Sequence, residues 1–332
     1  MTRHTPRAVA QRNRPARLRA RWRATLRASD RRTAHLSPTT RGLLWTSAAG
    51  FLFCVLNALM RSLALQLDPF QAQFLRYAFG LLVLLPMVWH AGLAAYRPTQ
   101  IGGQFSRGAV HTLGLGLWFV ALPRIPLADM TAIGFTTPIF IMIGATLFLA
   151  EPMRRARWIA TLVGFAGVLI VVGPSLSGSG GGYHLIMLAS APMFAASFLI
   201  TKALTRYESP GVILVWQSIT VSLLSLPLAL WHWQALGAWH WLGFLMCGVL
   251  GSGGHYCLTR SFVAADISAT QSAKFLDLLW SALMGWMVFS EFPSQSTLIG
   301  GCVICAATLW VARRESRARA APAATAPAVL DA

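Results

Sequence analysis

Ionisable side chains inside apolar stretches are the residues of this sequence most able to do chemistry. Lys274 and Asp277 stand three residues apart within the apolar run 267–290. At that spacing two side chains share one face of a helix. The pair would offer opposite charges to a zwitterion, or a titratable carboxylate to a proton. The alternative is a mutually neutralised pair that only fixes helix packing.

Three further ionisable residues stand in other apolar runs. Arg76 can either face the protein interior or extend its guanidinium towards a membrane interface. His111 and His255, both next to glycine-rich sequence, are either proton-linked groups near neutral pH or side chains bonded to a neighbouring carbonyl. The set of candidate site residues is completed by polar and aromatic side chains of the same runs: Trp118, Thr137, Gln271 and Tyr256.

The elements that position these residues are membrane helices. Of the 332 residues 55% are hydrophobic and 11% are charged, whereas a soluble domain carries about 25% charged residues. Apolar runs of about the length needed to span a bilayer occur ten times between Leu43 and Ala312. The predicted spans are 43–62, 70–89, 103–122, 127–149, 157–173, 183–203, 211–231, 239–259, 267–290 and 296–312.

The five cysteines all fall inside predicted spans. Cys302 and Cys305 are spaced like a metal or redox pair, but no second pair or histidine accompanies them, which favours small apolar filling. The glycines of 174–182 lack the Gly-Lys-Ser/Thr ending of a phosphate loop. No cofactor and no metal site is therefore predicted.

Arginine placement predicts the orientation of the chain in the membrane. The net charge is +18, and twelve arginines lie at or before Arg41. With a cytoplasmic N-terminus, the inner loops collect Arg97, Arg107, Arg154, Arg155, Arg157, Lys202, Arg206 and Arg260, and the outer side keeps Arg61 and Arg124. By the positive-inside rule both termini are cytoplasmic, and the compartment is expected to be the bacterial inner membrane.

The basic residues lie mainly in the two ends of the chain. Residues 1–42 lack an apolar core and are interpreted as a disordered tail on anionic lipid headgroups, with an organellar transit peptide as the alternative. Aromatic interleaving is almost absent there, which argues against nucleic acid as a partner. Residues 313–332 are predicted to be a second disordered cytoplasmic tail.

A duplication relates the two halves of the chain. Shifting the sequence by about 140 residues aligns Phe135 with Phe275, and the triplet 149–151 with 289–291. Residues 43–173 and 183–312 are the predicted repeats, joined by a Gly/Ser linker at 174–182. Because each repeat has five spans, the second enters the membrane inverted. The predicted fold class is an all-α integral membrane protein with ten transmembrane helices in two inverted five-helix repeats.

Within this frame, several segments resemble EamA-type carriers of the drug/metabolite transporter superfamily. The stretch IPLADMTAIGFTTPIF (125–140), ending in FLAEP (148–152), looks like the fourth helix of these carriers, and 158–172 resembles the fifth. Phe275 through Glu291-Phe292-Pro293, and then 297–311, resemble the same pair in the second half. The resemblance implies a secondary carrier whose central cavity is lined by spans 3, 4, 8 and 9, with parts of 1 and 6. Lys274 and Asp277 depart from the family pattern, in which the ninth helix is mostly uncharged.

The expected function is secondary transport of a small metabolite across a lipid bilayer. An amino-acid-like or carboxylate-bearing substrate would move by alternating access, driven by a proton gradient or by exchange. Efflux of drugs or toxic compounds is the alternative, and a homodimer is compatible with the sequence. A remote alternative is an intramembrane hydrolase built on Ser252 and His255, but nothing identifiable orients that histidine as a catalytic triad requires. The chain is therefore not expected to be an enzyme.

Overall fold

The structure is a computed structural model. It describes residues 36–134, 136–150, 155–176, 181–270, 273–274, 276–292, 294–296, 298–303, 306–307, 310 and 314. All regular secondary structure in these residues is helical.

Helices follow one another along the chain with short connections. The first half contains α1 Pro38–Ala64, α2 Pro69–Ala91, α3 Ile101–Ala121, α4 Leu127–Gly134, α5 Thr137–Leu149 and α6 Arg155–Leu176. The second half contains α7 Gly181–Leu204, α8 Pro210–Trp231, α9 Ala238–Ala264, α10 Ile267–Thr270 and α11 Leu276–Phe289. A short 3-10 turn, Leu93–Tyr96, links α2 to α3.

Polar caps followed by proline begin three of the long helices. Ser37, Asp68 and Ser209 each accept a hydrogen bond from a backbone N–H of the first turn, and a proline follows each of them. This arrangement satisfies an otherwise unpaired donor and starts the helix at a defined residue. Consequently α1 begins at Pro38 rather than at Leu43, where the apolar run begins.

Helical structure also extends into the segment that was predicted to be a linker. The helix α6 continues to Leu176, and α7 begins at Gly181. Residues 177–180 lie outside the described residues.

Four described helices are long and apolar enough to cross a membrane. They are Pro38–Ala64, Pro69–Ala91, Gly182–Leu204 and Pro210–Trp231, with mean hydropathies of 1.8, 1.5, 1.7 and 1.8. Two shorter helical segments, Thr137–Leu149 and Leu279–Phe289, are also apolar. Many large apolar side chains are exposed on the outside of the bundle, among them Trp89 and Phe148. Exposed apolar helix faces of this kind suit a lipid solvent.

Two predicted spans are broken, which corrects the prediction of continuous helices over 127–149 and 267–290. The first break separates α4 from α5, and the second is marked by the 3-10 geometry of the described residues 273–274, between α10 and α11. At the first break, Thr136 N donates to Ile133 O and Ile139 N donates to Thr136 O, both at 3.0 Å. These are tight i→i+3 bonds, and Pro138 has no N–H with which to continue an α-helical ladder.

The geometry of the two halves repeats at the ends of the broken helices. Ala150 follows α5 with φ 53°, and Ser290 follows α11 with φ 56°. They are the only non-glycine residues with positive φ in the described part of the chain. Their positions differ by 140 residues, which is the offset of the sequence repeat.

The helix packing shows the same pseudo-symmetry. The helix α9 packs along α1, as α3 packs along α7, while α2 and α8 pack on each other. In the same way α11 contacts α1 and α5 contacts α7. Each half therefore supplies one long helix that packs against the first helix of the other half, and both broken helices lie next to these first helices.

Candidate functional site

A cavity with a volume of about 170 Å³ lies where the two broken helices meet. Every long helix except α6 and α8 contributes to its wall among the described residues. The helices that line it correspond to the spans implied by the family resemblance, and α2 lines it as well. The lining residues are Phe53, Cys54, Asn57, Arg76, Tyr77, His111, Leu115, Trp118, Met130, Thr131, Gly134, Thr137, Pro138, Met187, Ser190, Phe194, Phe198, His255, Lys274 and Asp277.

Lys274 and Asp277 both line the cavity, but they do not form an ion pair with each other. The Lys274 ammonium lies 5.1 Å from the centre of the Phe198 ring, within the range of a cation–π contact. Asp277 Oδ1 is buried and has no hydrogen-bond partner among the described residues. Both groups therefore keep hydrogen-bonding capacity at the cavity.

Gly50 on α1 provides the space for the Asp277 carboxylate. A Cβ atom at position 50 would overlap Asp277 Oδ1 and would lie 2.9 Å from Asp277 Cγ. Cys54, one turn along α1, donates its S–H to the Asp277 backbone carbonyl at 3.4 Å. The position of the carboxylate thus depends on close packing of α11 against α1.

Arg76 faces the interior rather than the interface. The residue is 7% exposed, and its guanidinium carbon lies 4.4 Å from the centre of the Tyr77 ring. Its Nη1 atom has no hydrogen-bond partner in the described part of the protein. Arg76 and Lys274 are therefore two cationic groups on a cavity whose lining includes one carboxylate, Asp277.

Tyr77 joins the two candidate histidines. Its hydroxyl lies 2.8 Å from His111 Nε2 and 3.3 Å from His255 Nε2. The other ring nitrogen of His111, Nδ1, lies 3.1 Å from Ser197 Oγ. The histidines thus bond to side chains in this structure, rather than to a neighbouring carbonyl.

Arg107 corrects the count of loop arginines. It was assigned to an inner loop, but it lies within α3 and is 1% exposed. Its guanidinium donates to Thr201 Oγ1, to Ile213 O at 3.2 Å and to Gln217 Oε1 at 2.7 Å. Gln217 Nε2 lies 3.5 Å from Tyr77 Oη and 3.4 Å from His255 Nε2. A buried cation thus connects to the histidine cluster through one amide.

Comparison with known proteins identifies the family. The model of the EamA-like transporter family matches residues 40–173 and 182–313. The chain belongs to the EamA-like transporter family. Each half of this EamA-like chain therefore matches one copy of the family unit. The resemblance seen in the sequence is confirmed, and the chain is a membrane transporter rather than an enzyme.

Relatives of this EamA-like protein are named as carriers of small metabolites. A riboflavin transporter of Rhizobium johnstonii is 35% identical over 285 residues, covering 85% of this chain and 94% of the relative. An S-adenosylmethionine uptake transporter of Rickettsia felis is 30% identical over 262 residues, covering 79% and 89%. A solved crystal structure, 18% identical, superposes with a TM-score of 0.68 over 84% of this chain and 99% of that chain. That likeness supports the fold.

Two predicted site residues are not placed at the cavity of this EamA-like protein. Tyr256 packs edge-on against Trp45, with ring centres 6.4 Å apart, and is not among the lining residues. Tyr256 follows His255 directly in α9, so its side chain points about 100° away from that of His255. Gln271 lies outside the described residues. Trp118 and Thr137 do line the cavity, as do Lys274, Asp277, His111, His255 and Arg76.

Several lining residues were not predicted from the sequence. Tyr77 and the phenylalanines Phe194 and Phe198 are aromatic residues in apolar helices, where packing is the usual role. The four-residue spacing of Phe194 and Phe198 does indicate a shared helix face, but it does not say what that face contacts. Tyr77 is the immediate neighbour of the candidate residue Arg76, which was the one local signal for it.

Carboxylates at helix ends of the EamA-like fold contact basic side chains of the other half. Arg61 Nη1 lies 2.7 Å from Glu291 Oε1, and Leu127 N donates to Glu291 Oε2 at 3.4 Å. Asp129 is 7% exposed, and its Oδ2 lies 3.4 Å from His184 Nε2. Both pairs tie helices of opposite halves together. Glu151 lies outside the described residues.

Ser252 does not form a nucleophile with His255. Its hydroxyl donates to Gly80 O at 3.4 Å, whereas His255 Nε2 faces Tyr77 and Gln217. The hydrolase alternative is therefore wrong, in agreement with the family.

Proposed function

We propose that this transporter carries a flat heteroaromatic metabolite through the central cavity by alternating access, with riboflavin as the first substrate to test. The observation that carries the proposal is the composition of the cavity wall. Aromatic rings from α1, α2, α3, α7 and α9 surround a space in which Arg76, Lys274 and Asp277 retain unused hydrogen-bonding capacity. The riboflavin transporter that is 35% identical supports the choice of substrate.

The wall offers complementary chemistry to the two parts of a flavin. Aromatic side chains favour edge-to-face or offset contacts with a ring system, each worth about 0.5–1.5 kcal/mol beyond area burial. Lys274 and Arg76 can donate to ring carbonyl oxygens, and Asp277 can accept from the ring imide N–H or from a ribityl hydroxyl. Hydrogen bonds to charged groups contribute about 1.5–3 kcal/mol each.

The charge on the cavity wall argues against a cationic substrate. Arg76 and Lys274 are opposed by Asp277, so these three lining residues carry a net charge of +1. A sulfonium compound such as S-adenosylmethionine would bring further positive charge to this site. Neutral flavins and carboxylate-bearing compounds suit it better, and the carboxylate class remains the competing substrate class.

The proposed mechanism moves the two halves relative to each other. Ten spans in two inverted five-helix repeats, with both termini cytoplasmic in a bacterial inner membrane, would place the cavity between two similar bundles. Small-molecule pockets commonly measure about 300–1,000 Å³, so the 170 Å³ cavity must widen to admit a flavin. Rocking of the bundles would open it to each side in turn, and a proton gradient or exchange would supply the energy.

The test is uptake of riboflavin into proteoliposomes that contain the purified protein. Uptake is measured by flavin fluorescence with and without an imposed pH gradient, and also against liposomes preloaded with riboflavin. We expect uptake above that of empty liposomes, inhibition by carboxylated aromatic compounds and no inhibition by S-adenosylmethionine. Uptake equal to that of empty liposomes under every gradient and preloading condition would refute riboflavin as the substrate.

Variants of the two central charges separate a binding role from a structural role. Lys274→Met, Asp277→Asn and the double variant are compared for thermal stability and for riboflavin binding. Asp129→Asn is the matched control, because Asp129 is also buried but bonds to His184 away from the cavity wall. A binding role predicts a double variant that is stable but does not transport. Full transport by the double variant would remove both residues from the site.

A further inference from the structure

The amide of Gln217 can adopt only one orientation in this structure. Arginine carries hydrogen-bond donors and no acceptor, so the 2.7 Å contact from Arg107 Nη2 must go to the amide oxygen of Gln217. The amide nitrogen therefore faces Tyr77 and His255, to which it lies at 3.5 and 3.4 Å. The chemistry of Arg107 therefore decides the orientation of the amide.

This orientation determines which nitrogen of His255 carries hydrogen. Gln217 Nε2 is a donor, so a hydrogen on His255 Nε2 would place two donors against each other. The favourable arrangement has a lone pair on His255 Nε2, with the hydrogen of the neutral ring on Nδ1. Tyr77 does not alter this conclusion, because its hydroxyl can either donate to His255 or donate to His111.

His111 is not restricted in the same way. If Tyr77 donates to His111 Nε2, His111 Nδ1 donates to Ser197; if His111 Nε2 donates to Tyr77, the Ser197 hydroxyl donates back. Both arrangements use the same heavy-atom positions. Of the two histidines, only His255 has its protonation pattern imposed from outside the cluster, by Arg107 through Gln217.

We propose that Arg107 and Gln217 are positioning residues that hold His255 as a neutral proton acceptor, and that His255 is the site of proton coupling. A proton on His255 Nε2 would turn it into a donor facing the Gln217 donor, so the hydrogen bond between Gln217 on α8 and His255 on α9 would be lost. Loss of this bond would loosen the packing of α8 on α9. This inference rests on the proposed proton-driven transport.

The surroundings of His255 contain no acid among the described groups that face it. The helix α1 faces it with Phe53, and α8 faces it with Gln217. The titratable or charged groups on the other neighbouring elements are Arg76 and Tyr77 on α2, His111 and Arg107 on α3, and Lys274 after α10. With no carboxylate facing the ring, the Gln217 amide is the group that sets the hydrogen-bonding role of Nε2.

Nitrogen-15 NMR of the full-length protein in lipid nanodiscs tests the hydrogen position directly. The His255 signal is identified among the eight histidines by its loss in His255→Asn. We expect a neutral ring with hydrogen on Nδ1. Gln217→Glu keeps the acceptor for Arg107 but replaces the donor, so His255 should gain a hydrogen on Nε2. Wild-type His255 with hydrogen on Nε2 would overturn the inference, whether or not riboflavin is transported.

Transport measurements test the coupling. Gln217→Met should change the ratio of riboflavin uptake at about pH 6 to that at about pH 8, on either side of the ordinary histidine range. Gln104→Met is the matched control, because Gln104 is as buried as Gln217 but its amide makes no hydrogen bond to any described residue. Arg107→Met should change this uptake ratio, whereas Arg107→Lys, which retains a donor, should keep the wild-type ratio. A wild-type ratio in a stable, transporting Gln217→Met variant would refute the coupling role without affecting the proposed function.

Discussion

Replacing Gly50 by alanine should damage the cavity while leaving the fold largely intact. Gly50 lies inside α1 and is buried against α11. The added methyl group would overlap Asp277 Oδ1 and would also lie within 3.3 Å of Oδ2. Asp277 has a short side chain, so its carboxylate can avoid the methyl group only by rotating away from its present position or by moving α11.

The size of the effect follows from two opposing contributions. Extra atoms in a packed interior cost about 1–3 kcal/mol, whereas alanine is favoured over glycine inside a helix by about 1 kcal/mol. The net loss of folding stability is therefore about 0–2 kcal/mol. Loss of one hydrogen bond to a charged group costs about 1.5–3 kcal/mol, so substrate affinity should fall roughly tenfold to a hundredfold.

The assay compares riboflavin binding and thermal unfolding of the same detergent-purified variants. Gly253→Ala is the control, because a Cβ atom there meets only Leu52 Cδ1 at an ordinary 3.5 Å. Gly50→Ala is also made in an Asp277→Ala background, where the clash no longer exists and no further loss of affinity should appear. If Asp277→Ala abolishes binding but Gly50→Ala binds with wild-type affinity, this account of the packing is refuted.

Three further predictions concern the rest of the chain. Glu291→Gln should lower the free energy of unfolding by about 1–3 kcal/mol, which is less than for a fully buried pair because the carboxylate is 30% exposed. The double variant with Arg61→Met should recover part of the loss, and an unchanged stability of Glu291→Gln would show that the pair does not stabilise the fold. Deletion of 2–35, which spares the Ser37 cap of α1, should leave transport per inserted molecule unchanged, and loss of turnover would assign the tail a transport role. In a cysteine-free protein, a cysteine at Ser179 should react with an impermeant maleimide on intact cells and one at Ser316 should not; the opposite pattern would reverse the predicted orientation.

Continuous helices were predictable because a single physical requirement shapes them. A membrane helix must be apolar over its whole length, and α2 and α8 begin and end within two residues of the apolar runs 70–89 and 211–231. The start of α1 was predicted too late, since polar residues extend a helix beyond the bilayer whenever a cap such as Ser37 is present.

The break in the fourth span left no clear sign in hydropathy, because Ile133, Phe135 and Ile139 continue the apolar run across it. Gly134 and Pro138 were visible in the sequence, but proline and glycine also occur in unbroken membrane helices, and Pro86 lies inside the continuous α2. The role of Arg107 was hidden for a different reason. Its partners lie on α7 and α8, between 94 and 110 residues away, and no local pattern records such contacts.

The two halves repeat the fold but not the chemistry of the cavity. At the break of the first half the wall is formed by Gly134, Thr137 and Pro138, and the corresponding part of the second half places Lys274 and Asp277 there. Residues of α1 in the first half accommodate Asp277 of the second half. Gly50 leaves room for the carboxylate, and the Asp277 backbone carbonyl accepts a hydrogen bond from the Cys54 thiol. In the proposed alternating access, a pseudo-symmetric scaffold would open to both sides with similar movements, while an asymmetric set of polar groups would distinguish one substrate from another. Substrate specificity in this protein should therefore change with substitutions at 50, 274 and 277 more than with equivalent substitutions at 134 and 137.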